Sequence, residues 1–306
     1  MTRAALRAVE RLVALDAEHG AAAAVPAARA AVREFPELTA DPGSLPARRR
    51  DRDRLAALAE LCEVIGWILF DAGRHAPAHA ANRRALHLAH LAGDHWTARL
   101  VHLNHAMLQT HTGRARAALD TVSRVPGVHP LPARVHSLTL IRRAHATALL
   151  GARREPLGLI DRARSRFLDG VSRHDPHWAW WIDETELIGH HGWVLARLGR
   201  WDRAIPLLQR AATAPGPSYR HLFTAQLLSA LAGAGAWHEA EQLIAGLAPR
   251  AAGIGSARTT ETLGRTAAVL CHAPGVPPSL RDAAVHLRAV LPAGPRRTTP
   301  TPPPDR

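Results

Sequence analysis

Apolar residues along this chain recur at the spacing of an α-helix and almost nowhere alternate as a strand would. Residues 2–18 set Leu6, Val9, Leu12, Val13 and Leu15 on one stripe, Gly20 ends the run, and an alanine-rich helix spans 21–34. From Arg48 a long helical pattern runs to Ala72. Segments of the same period follow at roughly 76–92, 95–112, 114–125, 134–150 and 155–169, then 178–198, 201–213, 220–234 and 237–249. Two further segments, about 256–271 and 279–291, close the pattern. Runs of β-branched residues are scarce, so the expectation is an all-α protein without a sheet, with at least about 65% of residues helical.

Five glycines punctuate these helices in a common register. Gly73, Gly113, Gly151, Gly199 and Gly235 lie 40, 38, 48 and 36 residues apart. Seven residues earlier stand Gly66, Ala106, Ala144, Gly192 and, as the exception, Leu228. Five residues later come Ala78, Ala118, Pro156, Ala204 and Ala240. Small residues on both sides of a turn glycine describe antiparallel helices packed too closely for large side chains. A fixed period of this length is the mark of a solenoid, in which each helical hairpin buries its apolar face against the next.

The organisation predicted is a helical hairpin at 1–34, a linker at 35–47, a repeat array with two capping helices at 48–291, and a tail at 292–306. Three prolines between Pro36 and Pro46 mark the linker, and the break at Gly170–His177 accounts for the 48-residue spacing. The tail is Pro, Thr and Arg, a composition too poor in apolar residues to order itself. Cys62 and Cys271 stand far apart in apolar helical contexts and read as free thiols. No apolar run approaches the ~20 residues of a membrane span. The N-terminus is amphipathic and carries Glu10 and Asp16, unlike a signal peptide, so the expected location is the cytoplasm.

Net charge changes this picture little. The formal value is +13, which ordinarily suggests a polyanionic partner. The chain has no lysine, so every basic residue counted is arginine, and arginine with alanine, glycine and proline is the composition of a GC-rich genome.

Several segments carry a resemblance to a known family. Gly66-Trp67, Asp71-Ala72-Gly73, Ala85-Leu86 and Ala92-Gly93-Asp94 resemble a degenerate tetratricopeptide repeat. The order Trp178, Trp180, Trp181, Asp183, Glu184, Glu186 and His190, then Leu198-Gly199-Arg200 and Ala204, is similar to the C-terminal sensor region of actinobacterial helix-turn-helix regulators of the XRE type. Gly255-Ser256-Ala257-Arg258-Thr259 fits the same family, and the likeness covers roughly residues 5–272. It implies a tetratricopeptide-like right-handed superhelix of antiparallel hairpins. In such regulators a DNA-reading domain precedes the array. Here 1–34 forms two helices, not the three-helix core a recognition helix needs, so ligand sensing is the expected part of the likeness and sequence-specific DNA binding is not.

The resemblance also implies that the first helix of each hairpin lines a concave groove. Nine residues before the turn glycines stand Val64, Asn104, Arg142, His190 and Gln226, four of them polar on otherwise apolar helices. On the same stripe, thirteen before, are Glu60, Leu100, Leu138, Glu186 and Leu222; six before, Trp67, Met107, His145, Trp193 and Ser229. Asn104 and Arg142 together have the donors to grip a carboxylate, or these residues simply solvate an empty groove. Trp180, Glu186 and His190 form the densest chemistry, with Glu186 and His190 at the spacing of a metal pair or an acid–base pair. A metal needs three or four converging ligands, and no such helix signature is present. His87/His90 and His102/His105 likewise lack acidic or thiol partners at ligand spacing. No nucleophile, phosphate loop or cofactor signature supports catalysis.

The candidate site is therefore Asn104, Met107, Arg142, His145, Trp180, Glu186, His190, Trp193 and Gln226. The expected function is a non-catalytic regulatory or scaffold module that holds a peptide, partner protein or small effector and uses no cofactor or metal. A transcription regulator acting on DNA through a partner or a basic surface is the alternative. Whether the chain pairs with a second copy is left open.

Overall fold

The computed structural model describes residues 2–40, 52–127 and 130–292. Among these the chain is 80% helical with no strand. Fourteen α-helices follow one another in order: α1 (Thr2–His19), α2 (Ala21–Glu34), α3 (Arg52–Asp71), α4 (His75–Ala92), α5 (His95–His111), α6 (Ala115–Val122) and α7 (Ala133–Leu149). Then come α8 (Glu155–Phe167), α9 (Glu184–Arg197), α10 (Trp201–Thr213), α11 (His221–Ala234), α12 (Trp237–Leu247), α13 (Ala257–His272) and α14 (Pro278–Val290). The start of the basic run at 48–51, most of the expected linker and the tail from 293 lie outside the described residues.

Two expected boundaries differ. The segment 178–198 is not one helix: His177–Trp181 is a 3-10 turn, and Asp183 then caps α9 by accepting from the Glu186 amide at 3.0 Å. A carboxylate two residues after a Trp pair offers its oxygen to free helix-start amides, which fixes the break there. The helix expected at 114–125 stops at Val122, because Ser123 turns its hydroxyl back onto the Asp120 carbonyl and the turn leads to Pro126.

All five register glycines adopt the left-handed conformation, with φ between 70° and 85°. Each ends the first helix of a pair: α3/α4, α5/α6, α7/α8, α9/α10 and α11/α12 pack together across these turns. The small residues sit where helices approach. Ala78, Ala118, Ala204 and Ala240 are fully buried, and a Cβ on Gly192 would lie 3.1 Å from the Ala204 carbonyl oxygen. The expected spacing rule thus has a steric cause.

Two large apolar clusters carry the ends of the array, one shared by α1 to α5 and the other by α9 to α14. Smaller clusters join them through α7 and α8. The two ends also meet. The Ala22 amide donates to the Gly255 carbonyl at 2.8 Å, and the Ser218 hydroxyl donates to the Asp16 carbonyl at 2.7 Å. The α13 helix, expected as an outer cap, begins inside this closure. Its N-cap Ser256 donates to Asp71 at the end of α3, and Arg258 in its first turn pairs with the same carboxylate. The helices therefore enclose an interior, with α1 lying across it.

Candidate functional site

The interior is a cavity of about 300 Å³. Its apolar wall has contributions from Val9 and Val13 on α1, Val64 and Trp67 on α3, Leu100 on α5, and Leu222 and Phe223 on α11. Trp178, Trp180 and Trp181 of the 3-10 turn stand on another side, and the exposed Glu10, His177 and Trp180 mark the mouth. Four tryptophans of the chain's eight thus surround one small space. Aromatic walls with a few polar groups are the usual make-up of a small-molecule site, and this volume falls at the low end of that range.

Six of the nine expected residues line this cavity: Asn104, Met107, Arg142, Trp180, Glu186 and His190. His145 and Trp193 lie behind it, against a separate space of about 10 Å³ that Met107, Arg142 and His190 also touch. Gln226 is buried but lines neither space; Leu222 and Phe223, one turn earlier on α11, take its place. A second correction concerns depth. The polar rungs do not face an open groove: Arg142 is 2% exposed and His190 4%, because α1 and the 3-10 turn cover what a simple array would leave open.

The third correction concerns who bonds whom. Asn104 does not act with Arg142; its Nδ2 donates to Glu63 Oε1 at 2.6 Å. Arg142 Nη1 instead lies 3.4 Å from His190 Nε2. A guanidinium only donates, so that nitrogen is the acceptor and His190 carries its proton on Nδ1. Nδ1 is 3.0 Å from His145 Nε2, which accepts in turn. Burial, reinforced by the Arg142 charge, holds His190 well below its ordinary pKa, and burial followed by His190 does the same to His145. The chain Arg142 to His190 to His145 is thus a relay of two neutral imidazoles fed by one cation.

Glu186 is likewise not the partner of His190 that the spacing suggests. The two are 3.7 Å apart, and His190 has no proton facing it. Glu186 Oε1 instead accepts from Arg220 Nε at 3.1 Å, while Arg220 Nη2 reaches Asp183 at 2.6 Å. Burial pushes the Glu186 carboxyl up to about 7 against the pull of Arg220. At 3.7 Å Glu186 and His190 are too far apart to hydrogen-bond to each other.

Sequence reasoning missed a second polar group supplied by α1, α3, α13 and the turn before α11. Asp16 Oδ2 accepts from Trp67 Nε1 at 2.9 Å, and burial, with the Asp71 charge added, pushes its carboxyl up to about 6. Glu63 is pushed up to about 7 by burial. The Arg258 guanidinium lies 4.9 Å over the Trp67 ring and 4.8 Å over Phe70. Tyr219 meets Trp67 edge to face at 6.2 Å. A signal for Asp16 was present: it continues the apolar stripe Val9, Leu12, Val13, where a charge is out of place. Tyr219 carried none, and Arg258 stood out only within the Gly255–Thr259 motif, since only closure of the array brings the two here.

Several buried atoms of residues around the cavity have no hydrogen-bond partner among the described residues: Arg142 Nε and Nη2, Asp16 Oδ1, Asn104 Oδ1, Trp178 Nε1 and the Tyr219 hydroxyl. Native interiors leave few such atoms, so a cluster of them around one space is a property of that space. Elsewhere, His79 and His105 face each other at 2.8 Å, and His111 approaches Glu261 at 3.5 Å. Among the described residues no group of three or more His, Cys, Asp or Glu side chains is arranged to hold a metal ion. Cys62 is buried and Cys271 half-buried, both free. No described helix is long and apolar enough to cross a membrane. Comparison of the chain with protein-family models and with curated proteins gives no match.

Proposed function

We propose that this chain is a non-catalytic, tetratricopeptide-like sensor module that takes a small amphipathic effector into its interior and reports occupancy to a partner protein. In this reading the paired helices form a right-handed superhelix whose inner face is the cavity wall. The observation that carries it is the coincidence of a 300 Å³ aromatic-walled cavity with a cluster of unpartnered buried polar atoms. A folded chain tolerates such atoms where a ligand or ordered water completes them. The likeness of the Trp178–Ala204 and Gly255–Thr259 segments to the sensor region of helix-turn-helix regulators supports the same assignment.

Enclosure favours a small effector over a peptide lying in a groove, since Arg142, His145 and His190 have no path to an extended chain. A regulatory role suits the architecture, because the cavity wall draws on both ends of the array and a ligand that fills it bears on how they close. Direct operator reading has little to work with: the exposed residues of α2 are Ala22, Ala23, Pro26, Arg29, Arg33 and Glu34.

The test uses 2-naphthamide, a neutral probe with an apolar body small enough for the cavity, followed by quenching of tryptophan fluorescence. Saturable quenching in the wild-type chain, lost in Val64→Trp with the helical signal intact, is the expected result. Binding indifferent to Val64→Trp, or absence of binding by this probe and by its charged analogues alike, removes the cavity as the functional site.

A further inference from the structure

Resting on that reading, the geometry points to a specific chemical class of effector: an organic monoanion whose acid head meets Arg142 and whose apolar body lies among Trp67, Trp178, Trp181 and Phe223. Charge pairing sets one residue of the site apart. Arg258 has Asp71, and Arg220 has Glu186 and Asp183. The acids are met as well: Glu63 by Asn104, Asp16 by Trp67, Glu60 by His177 at 2.9 Å. Among the described residues, Arg142 alone of the buried charges of this site touches no carboxylate. Its single contact is the long one to neutral His190, and its Nε and Nη2 are buried without a partner.

A guanidinium taken wholly out of water without an anion is costly, because desolvation is not returned by any ion pair. Burial lowers its pKa to about 9 against the pull of the Glu186 carboxylate, which it does not touch, and this still leaves it charged at neutral pH. The edge formed by Nε and one Nη is the edge that binds a carboxylate through two parallel hydrogen bonds. Arg142 lines the cavity, and its buried, unpaired Nε and Nη2 are the two donors an acid head needs. The body is specified by the apolar lining: four aromatic rings and Leu100, Val64 and Val13 offer almost only carbon. Two fused rings, or hydrocarbon of similar bulk, match the volume. The unpartnered acceptors Asp16 Oδ1 and Asn104 Oδ1 leave a place for a hydroxyl or amide donor elsewhere on the same molecule.

The rival arrangement is a cation held by Asp16, Glu63 and the tryptophan faces, with Arg142 merely solvated by water in the adjoining 10 Å³ space. Three probes with one body separate the two: 2-naphthoate, 2-naphthamide and 2-naphthylmethylammonium, titrated into the full chain at pH 7.5 by calorimetry. Naphthoate should bind at least tenfold tighter than the amide and the ammonium weakest. In Arg142→Met the ratio of naphthoate to amide affinity should fall to about one. The wild-type series needs no variant, so an Arg142→Met chain that fails to fold leaves the comparison intact. Tightest binding of the ammonium, equal binding of amide and naphthoate, or a naphthoate preference unchanged in Arg142→Met overturns the anion assignment while leaving the sensor reading standing. Failure of all three probes overturns both.

Discussion

Arg258 Nε lies 2.5 Å from Asp71 Oδ1, joining two residues 187 positions apart in a site with almost no solvent. Ser256 donates to the same oxygen at 2.9 Å, and Arg258 Nη1 points at Met107 Sδ. This triad ties the end of α3 to the start of α13 and so holds the array closed around its cavity.

Breaking a buried pair from one side leaves an uncompensated charge. Asp71→Ala should therefore cost about 3–5 kcal/mol. Asp71→Ala combined with Arg258→Met should cost less than the single substitution, since no charge is then stranded. Chemical denaturation of the single and double variants checks this; strictly additive losses would mean that the two residues do not act as a pair.

Gly20 and Gly255 make the closure sterically exacting. A Cβ on Gly255 would sit 2.4 Å from the His19 carbonyl oxygen, and one on Gly20 would sit 2.8 Å from the Gly255 Cα. Backbone, not a flexible side chain, is what it would strike. Gly255→Ala should cost about 1–3 kcal/mol and raise amide exchange in α1 and α2 selectively. Gly264→Ala, where nothing stands in the way, serves as the control. Equal effects of the two substitutions would remove the close approach as the cause.

The repeat was legible because its cause is local. A left-handed turn needs glycine, and a tight crossing needs small residues at fixed distances from it, so Gly192 and Ala204 announce each other in the sequence. The inner stripe came from the register together with the face that the family resemblance implies, and Asn104, Arg142, Glu186 and His190 on it all line the cavity. What the sequence could not convey was the cover. That α1 lies across the interior depends on Gly20 meeting Gly255, a contact with no periodic signature. Once that cover is in place, exposed rungs become buried ones, and their pairings follow desolvation instead of spacing. Glu186 then turns to Arg220 and not to His190, four residues along its own helix.

Ala204→Trp tests the register itself. Ala204 is fully buried opposite Gly192, so an indole has no space to enter. Overpacking should destabilise by about 1–3 kcal/mol, seen as a lower midpoint with the helical circular dichroism retained. An unchanged midpoint would place α9 and α10 in a different register.

Glu63 should give the fold a characteristic pH dependence. Its carboxyl ionises near 4.5 in an unfolded chain and near 7 when buried. Between those values the folded state keeps a proton that the unfolded state releases, so rising pH favours unfolding. The penalty is absent below the lower value and complete above the upper one, at roughly 3 kcal/mol. Glu63→Gln keeps an acceptor for Asn104 without the ionisation. Its stability relative to wild type should therefore improve steadily from pH 4.5 to 8, in denaturation midpoints measured side by side. A constant difference across that range would show that Glu63 does not titrate in the folded chain.

Arg142 offers the sharpest separation between a group kept for the fold and one kept for a ligand. Asp71 and Arg142 are both fully buried charges on the first helices of their hairpins. Asp71 is met by a guanidinium and a hydroxyl, whereas Arg142 has only the distant imidazole of His190. Replacing a poorly paired buried ion by an apolar side chain of similar length is commonly neutral or stabilising, because the desolvation penalty disappears with the charge. Glu186 loses little by the change, since Arg220 still bonds it. In the ligand-free chain, Arg142→Met should thus hold or raise the melting temperature, while Asp71→Ala lowers it by several degrees. A loss in Arg142→Met as large as that in Asp71→Ala would make Arg142 a structural residue and remove the energetic case for a site that waits for an anion.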